Sequence, residues 1–411
     1  MKIVKDIILL QVAKVLELII PIIIIPIVIL NIGLADFGVI TKLIATSTYL
    51  VIFGEWGFNT NLVNYYKRSE NSNSLLKVFM DVMKYKGAYS LVVITLLLAL
   101  SFFNVFSVSL SIILSVLVIS NTFQCRWYFQ AADKLVPYTL YTIIVKSTLL
   151  YYAFFMMDES STKEGYLFAY IFPIFIIAIA STIYTYLDIS SKSTSCDDVE
   201  IFKYGFTKDF VSLFIEGWNL ISSRIISKMF SPVMMFLAGF NYGNEIVGLI
   251  GIYQKVVSGV VAIFTPINEV VYPKLAGLYD SNYREYTRFL TLQVISIILM
   301  YFVFITFSLI VQDYLFDYLN IEQSKTNVNF YYIYSLCIIT NLVIMAVVNA
   351  LVIKGTTRQI SKISTVSVLS ALAVFLFIHN YTMIDHLSVA IVFVMQQLLS
   401  LIMMSAYYLK K

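Results

Sequence analysis

Six basic residues fall inside long apolar stretches of the chain: Lys14, Lys42, Lys146, Arg224, Lys228 and Lys255. Four acids share those stretches: Glu17, Glu55, Glu216 and Glu269. A charge at a lipid-facing helix centre costs about 2.5–3.5 kcal/mol on the insertion scale, so these side chains are expected to face a bundle interior or a watery cavity. Arg224 and Lys228 stand four apart and share one helix face, where like charges repel unless an anion or a carboxylate lies between them. Six bases against four acids leave an excess of two positive charges, which suits an anionic substrate. The six bases are therefore the candidate substrate-binding set. The four glutamates are candidate carriers of a coupling proton or cation. Internal neutralisation is the competing reading: Lys14 and Glu17 can pair at three-residue spacing, and Glu216 or Glu269 can satisfy other bases. Lys14 and Lys42 lie near span ends and can also snorkel to the interface.

Other chemistry is scarce. No Gly-x-x-x-x-Gly-Lys-Ser/Thr loop is present, so no nucleotide-driven step is expected. Cys125, Cys196 and Cys337 sit in apolar segments or polar connections on the cytoplasmic side, and no disulfide framework is expected. His379 and His386 flank a late turn and read as ordinary interfacial residues. With no Cys/His cluster, neither a metal nor another cofactor is expected, and the chain does not read as an enzyme.

The elements that must position these charges are membrane helices. Hydrophobic residues make up 60% of the chain, charged residues 13%, and the mean hydropathy is +0.85. A soluble domain has about 25% charged residues. A spanning helix needs about 20 mostly apolar residues. About twelve such segments run near 9–32, 37–63, 80–103, 107–130, 135–157, 165–187, 209–238, 246–271, 287–311, 329–353, 359–378 and 386–409. No apolar core is left for a soluble domain.

The remaining charges alternate between connections. One set of connections carries 20 bases, from Lys2 and Lys5 through Lys84, Lys86, Arg126 and Lys134 to Lys410 and Lys411. The opposite set carries only Lys163 and Lys325, with acids such as Asp36, Asp158, Glu164, Asp313 and Asp385. By the positive-inside rule both termini are expected to be cytoplasmic, with an even number of spans. The first apolar run is too long for a signal h-region, so it is expected to stay as a span. The net charge of +4 is accounted for at the cytoplasmic membrane face, and no nucleic-acid partner is expected.

A polar, Ser-rich stretch at 191–208 reads as a cytoplasmic linker between an N-terminal six-helix half, 1–190, and a C-terminal six-helix half, 209–411. The halves look related. Pro26 is followed seven residues on by Gly33 and then by Asp36-Phe37-Gly38; Pro232 is followed seven residues on by Gly239 and then by Ile246-Val247-Gly248. The expected fold is an all-α polytopic membrane protein with two six-helix bundles around a central cavity. Aromatic residues reach 16%, and most are expected in interfacial belts.

Three stretches carry a resemblance to a known family. They are Pro21 to Pro26 with Gly33 and Phe37-Gly38, then Gly54-Glu55-Trp56-Gly57-Phe58-Asn59, then Arg126-Trp127-Tyr128-Phe129-Gln130-Ala131-Ala132-Asp133-Lys134. Together they resemble bacterial O-antigen and related polysaccharide-unit flippases, members of the multidrug/oligosaccharidyl-lipid/polysaccharide exporter superfamily. The resemblance implies transport of an undecaprenyl-diphosphate-linked oligosaccharide from the cytoplasmic to the periplasmic leaflet by alternating access, in the inner membrane. It also implies a polysaccharide polymerase and chain-length proteins as partners. Two rivals stand beside it. One is another exporter of the superfamily, for drugs or for peptidoglycan or teichoic precursors. The other is a polytopic polymerase or glycosyltransferase, which would need larger external loops than this chain has.

Overall fold

The computed structural model describes residues 2–68, 72–103, 105–192, 206–381 and 387–410. Every regular element among them is helical. The helices are α1 (Lys2–Glu55), α2 (Phe58–Arg68), α3 (Ser72–Phe102), α4 (Val108–Phe123), α5 (Arg126–Ala131), α6 (Leu135–Phe155) and α7 (Lys163–Ser191). After the linker come α8 (Lys208–Tyr242), α9 (Asn244–Ser281), α10 (Tyr283–Tyr318), α11 (Lys325–Ile353), α12 (Thr357–Tyr381) and α13 (Leu387–Lys410). Among the described residues, nine stretches are long and apolar enough to cross a membrane. Their outward faces stay greasy: Leu299, Phe302, Val303, Phe307 and Ile310 of α10 are all exposed. On a soluble protein so large an apolar surface would be a liability, whereas in lipid it is the solvated face.

Two expected spans are not continuous. The segment expected at 37–63 stops at Glu55, because Trp56 (φ 42°) and Gly57 (φ 74°) turn left-handed before α2 begins. The segment expected at 107–130 breaks at Gln124 and Cys125, between α4 and α5. The freed backbone groups at the second break find partners on α7. Cys125 N–H donates to Ser181 Oγ at 3.3 Å, and Thr182 Oγ1 donates to Phe123 O at 2.9 Å. Irregular backbone at membrane depth is tolerated where it is buried in protein or lines a cavity.

The chain packs as two units. The first holds residues 1–13 and 42–228, the second 14–41 and 229–411. Packing thus crosses the 191–208 boundary, most of which (193–205) lies outside the described residues. In the first unit α4 packs on α3 and α7, α6 on α7, and α2 on α5. Its core gathers Phe58, Leu62, Phe79, Val82, Trp127, Tyr128 and Phe210. In the second unit α11 packs against α9, α10 and α13, and α12 against α13. Its core is aromatic. Tyr253 meets Phe330 at 5.5 Å between centroids, Phe330 stacks on Tyr334 at 6.0 Å, and Tyr334 meets Phe393 at 5.4 Å.

The second unit holds two left-handed glycine breaks. Gly33 (φ 80°) breaks α1, and Gly243 (φ 89°) separates α8 from α9. Gly239, the expected partner, lies within α8 and has no left-handed backbone. Gly38 and Gly248, five residues past each break, then make a reciprocal crossing. A Cβ on Gly38 would stand 1.8 Å from Asn244 O, and one on Gly248 would stand 2.6 Å from Leu34 O. Only hydrogen fits there, so the glycines let two backbones touch.

Candidate substrate cavity

Both helix breaks border a cavity of about 520 Å³ in the first unit. The distal part of α1 gives one wall through Ile44, Ser47, Thr48, Val51, Ile52 and Glu55, spaced by three and four so that they share a face. Asn59 of α2 continues that wall past the turn. Leu117 and Asn121 of α4, Gln124 at the break and Arg126 at the start of α5 form another. Tyr170 of α7 and Ile221 and Lys228 of α8 complete the lining.

Local chemistry holds this shape. The left-handed turn at Trp56 strains a bulky residue, at about 1–2 kcal/mol. Its ring stacks on Phe214 at 4.5 Å and 9°, and its Nε1–H donates to Phe214 O at 2.9 Å. Those contacts also seat α8. Asn61 Nδ2 donates to Leu213 O at 3.2 Å, Tyr65 hydroxyl donates to Asp209 Oδ2 at 2.7 Å, and Thr207 N–H donates to Asp81 Oδ2 at 2.8 Å. The seating brings Ile221 and Lys228, two turns apart on one face, to the cavity.

Among the described residues the charged lining is Glu55, Arg126 and Lys228, two bases against one acid. Glu55 Oε1 accepts a hydrogen bond from Asn59 Nδ2 at 2.8 Å, so the carboxylate is held against the turn. Gln124 Oε1 accepts from the Tyr138 hydroxyl at 3.3 Å. Asn121 Nδ2 donates to Leu117 O at 2.9 Å. Arginine can grip a phosphate through two parallel N–H donors, and lysine adds a mobile point charge. Amides beside them can serve hydroxyl groups.

Of the residues expected from sequence, Lys228 and Glu55 line this cavity together. Lys42 and Lys146 are half-buried, Lys255 and Glu216 are exposed, and none of these four is among its lining residues. The side chains of Lys14, Glu17, Arg224 and Glu269 lie outside the described set. Arg126, Asn59, Asn121 and Gln124 also line it, and the sequence alone does not mark them as site residues. Arg126 counted as a connection charge, although it opens the Trp-Tyr-Phe stretch that carries the family resemblance. Lys86, also counted among connection charges, is instead 1% exposed within α3. Its neighbours at helical spacing gave a signal: Phe79, Val82, Val93 and Leu97 form one apolar stripe through it.

The same Trp-Tyr-Phe stretch anchors α5 to α7. Trp127 and Tyr128 are buried, and the Tyr128 hydroxyl donates to Asp188 Oδ2. Lys134 lies 3.4 Å and Lys192 lies 2.7 Å from the same carboxylate. A hydrogen bond from Lys134 to the Tyr184 hydroxyl at 2.8 Å, with Asp188 nearby, holds that ammonium above the usual lysine range.

Two solved structures share this fold. The lipid II flippase MurJ in an inward closed conformation is similar over 99% of this chain and 88% of its own, with a TM-score of 0.68 and 14% identity. A multidrug resistance MATE family transporter of the MOP superfamily, inward-facing, is similar over 96% of this chain and 93% of its own, with a TM-score of 0.65 and 12% identity. The likeness shows that this chain shares their fold. With nine apolar stretches among its described residues, the chain is a multi-pass, all-helical membrane protein. In sequence it is 22% identical over 291 residues to a protein of Escherichia coli (strain K12) named "Putative O-antigen transporter". That match covers 68% of this chain and 66% of the relative, just under two thirds of its length. Residues 3–278 match the family described as polysaccharide biosynthesis protein, and the chain belongs to that family.

Proposed function

We propose that the chain moves an undecaprenyl-diphosphate-linked saccharide from the cytoplasmic to the periplasmic leaflet by alternating access. The observation that carries this reading is the cavity in which Arg126 and Lys228 outnumber Glu55 among amide side chains. The head of such a lipid holds about two negative charges, one per phosphate, and loses hydration as it crosses the apolar slab; fixed cations replace that hydration. Asn59, Asn121 and Gln124 suit the hydroxyls of the attached sugar. The lipid tail stays in the bilayer. Lys14, Lys42, Lys146, Arg224 and Lys255 are proposed to serve the same anion along its route. Glu17, Glu55, Glu216 and Glu269 are proposed to carry any coupling proton. A polysaccharide polymerase and chain-length proteins would take up the product.

The fold likeness supports the wider class, an exporter of this superfamily, more directly than it supports an O-antigen unit. A second reading therefore stays in play, transport of a peptidoglycan-type precursor, and one experiment separates the two. The chain is expressed in cells lacking their O-unit flippase and, in parallel, in cells depleted of their lipid II flippase. Restored surface polysaccharide in the first alone supports the O-unit reading. Rescue of the second alone overturns it in favour of the precursor.

The proposed topology has twelve spans in a six-plus-six plan, with cytoplasmic ends. Cysteine at Ser161, in the turn between α6 and α7, should react with an impermeant thiol reagent added outside intact spheroplasts. Labelling only after lysis would reverse the orientation and the direction of transport.

A further inference from the structure

A helix of six residues carries one of the cavity's cations. α5 runs from Arg126 to Ala131, and Arg126 at its start lines the cavity. Isolated helices below about 12–15 residues are marginal, so α5 takes its place and its rotation from what holds it. One face of α7 supplies much of that hold. Ser181, Tyr184 and Asp188 stand three and four apart and share the face. Just before Arg126, the Cys125 N–H donates to Ser181 Oγ at 3.3 Å. Just after it, the Tyr128 hydroxyl donates to Asp188 Oδ2. Phe129 then stacks on Tyr138 at 4.7 Å and on Tyr184 at 5.3 Å.

Asp188 gathers three donors from three places in the chain. Besides Tyr128, Lys134 Nζ lies 3.4 Å from Oδ1 and Lys192 Nζ lies 2.7 Å from Oδ2. The three are not equal. Both lysine side chains are exposed, and exposed ion pairs are worth little. Tyr128 is buried, so its bond to a carboxylate is the one that is costly to lose. That bond also has a lever. At 3.6 residues per turn, Arg126 and Tyr128 lie about 200° apart around the axis of α5. Holding Tyr128 against α7 therefore turns Arg126 the other way, to the cavity wall. A rotation that released the hydroxyl would carry Arg126 with it.

We infer that Asp188 is a positioning residue for the anion site: by holding the Tyr128 hydroxyl against α7 it fixes the rotation of α5 and keeps Arg126 turned to the cavity. The inference rests on the lipid-diphosphate reading of that cavity. The lysines steady the carboxylate, and the hydroxyl transmits its effect.

The test is a double-mutant cycle on binding by the purified full chain in detergent micelles, with geranylgeranyl diphosphate and uncharged geranylgeraniol as probes. Arg126→Ala should weaken the diphosphate on the order of tenfold, the worth of a hydrogen bond to a charged group, and leave geranylgeraniol unchanged. Asp188→Ala should weaken it by a similar factor. With Arg126 already removed, Asp188→Ala should cost no more than about twofold further, because residues that act through one contact are not additive. A carboxylate that only braces the fold would lower binding by the same factor in both backgrounds. Asp188→Asn keeps an oxygen for the Tyr128 hydroxyl and loses only exposed ion pairs, so it should bind within about threefold of wild type. Where Asp188→Ala does not fold, Tyr128→Phe removes the hydroxyl alone and runs the same cycle. Full additivity, wild-type binding by Asp188→Ala, or an asparagine variant as weak as the alanine one overturns the positioning role and leaves the cavity reading intact. A wild type that binds the diphosphate no better than geranylgeraniol, or an Arg126→Ala variant that binds it as the wild type does, overturns the lipid-diphosphate reading and this inference with it.

Discussion

The two packing units solve opposite problems with the same helical material. The first interrupts its helices at 56–57 and 124–125 and uses the interruptions to place Glu55, Asn59, Gln124 and Arg126 around open space. The second keeps α9, α10, α11 and α13 continuous and closes them with stacked tyrosines and phenylalanines. A small void there, bordered by Tyr253, Tyr331, Tyr334 and Ser335, is about 10 Å³, and among the described residues its lining carries no charge. In the first unit, room for charge comes with broken backbone that lines a cavity. The second unit closes its continuous helices by ring stacking, and just past its own breaks at Gly33 and Gly243 the contact tightens to glycine against a main-chain oxygen.

The largest effect that would sharpen this contrast lies in the second unit. Gly38→Leu, or Gly248→Leu, drives a side chain into Asn244 O or Leu34 O, a backbone atom that cannot swing aside. Overpacking of this kind costs about 3 kcal/mol or more. Both variants should lose folded, monodisperse protein in fluorescence-detected size exclusion, and by similar amounts because the crossing is reciprocal. A well-folded Gly38→Leu protein would show that the crossing is not tight and that the contrast between units is overstated.

Next comes the opposite experiment in the first unit. Arg126→Ala with Lys228→Ala removes two cavity-lining cations and leaves the core cluster around Trp127 and Phe58 untouched. A hydrogen bond to a charged group is worth about 1.5–3 kcal/mol, so the pair should lower surface polysaccharide more than tenfold in complementation. The melting temperature of the purified variant should stay within a few degrees of wild type. Full complementation by this variant would remove the cavity from the transport route. A collapse in stability would make the two cations structural and erase the difference between the units.

Sequence patterning made the helices legible because hydropathy and charge segregate strongly in a bilayer-solvated chain. It also singled out Lys228 and Glu55, since an ionisable residue deep in an apolar run is costly wherever it points. Arg126 and Lys86 were harder to place for opposite reasons. Arg126 sits beside a helix break, and nothing in Phe123-Gln124-Cys125 announces that break, because its compensation comes from Ser181 and Thr182 about 57 residues away. Lys86 sits near Lys84 and looks like one more cytoplasmic base; yet Lys84 is exposed beside Asp81 at 3.2 Å, while Lys86 falls on the stripe that packs inward. The repeat was half-legible. The glycines at 38 and 248 align by sequence, but the prolines at 26 and 232 suggest a register one helical turn off. The break itself falls at Gly243, which the sequence pattern does not mark.

The smallest expected effect has the opposite sign. Gly87 lies inside α3, next to Lys86, and a Cβ built there meets nothing within 4 Å. With ordinary helical backbone and open space, Gly87→Ala should stabilise the protein by about 0.5–1 kcal/mol, since alanine loses less backbone freedom on folding. A small rise in melting temperature would measure it. The transport readout is the more telling half of this experiment. If the variant is more stable and transports as well as wild type, the surface of α3 around Gly87 stays open throughout the cycle. If it is more stable but transports poorly, some other helix must approach Gly87 in a second conformation, since a methyl group that touches nothing here can only obstruct elsewhere. That outcome would place part of the alternating movement on α3, beside the buried lysine. A fall in melting temperature would contradict the open surface itself.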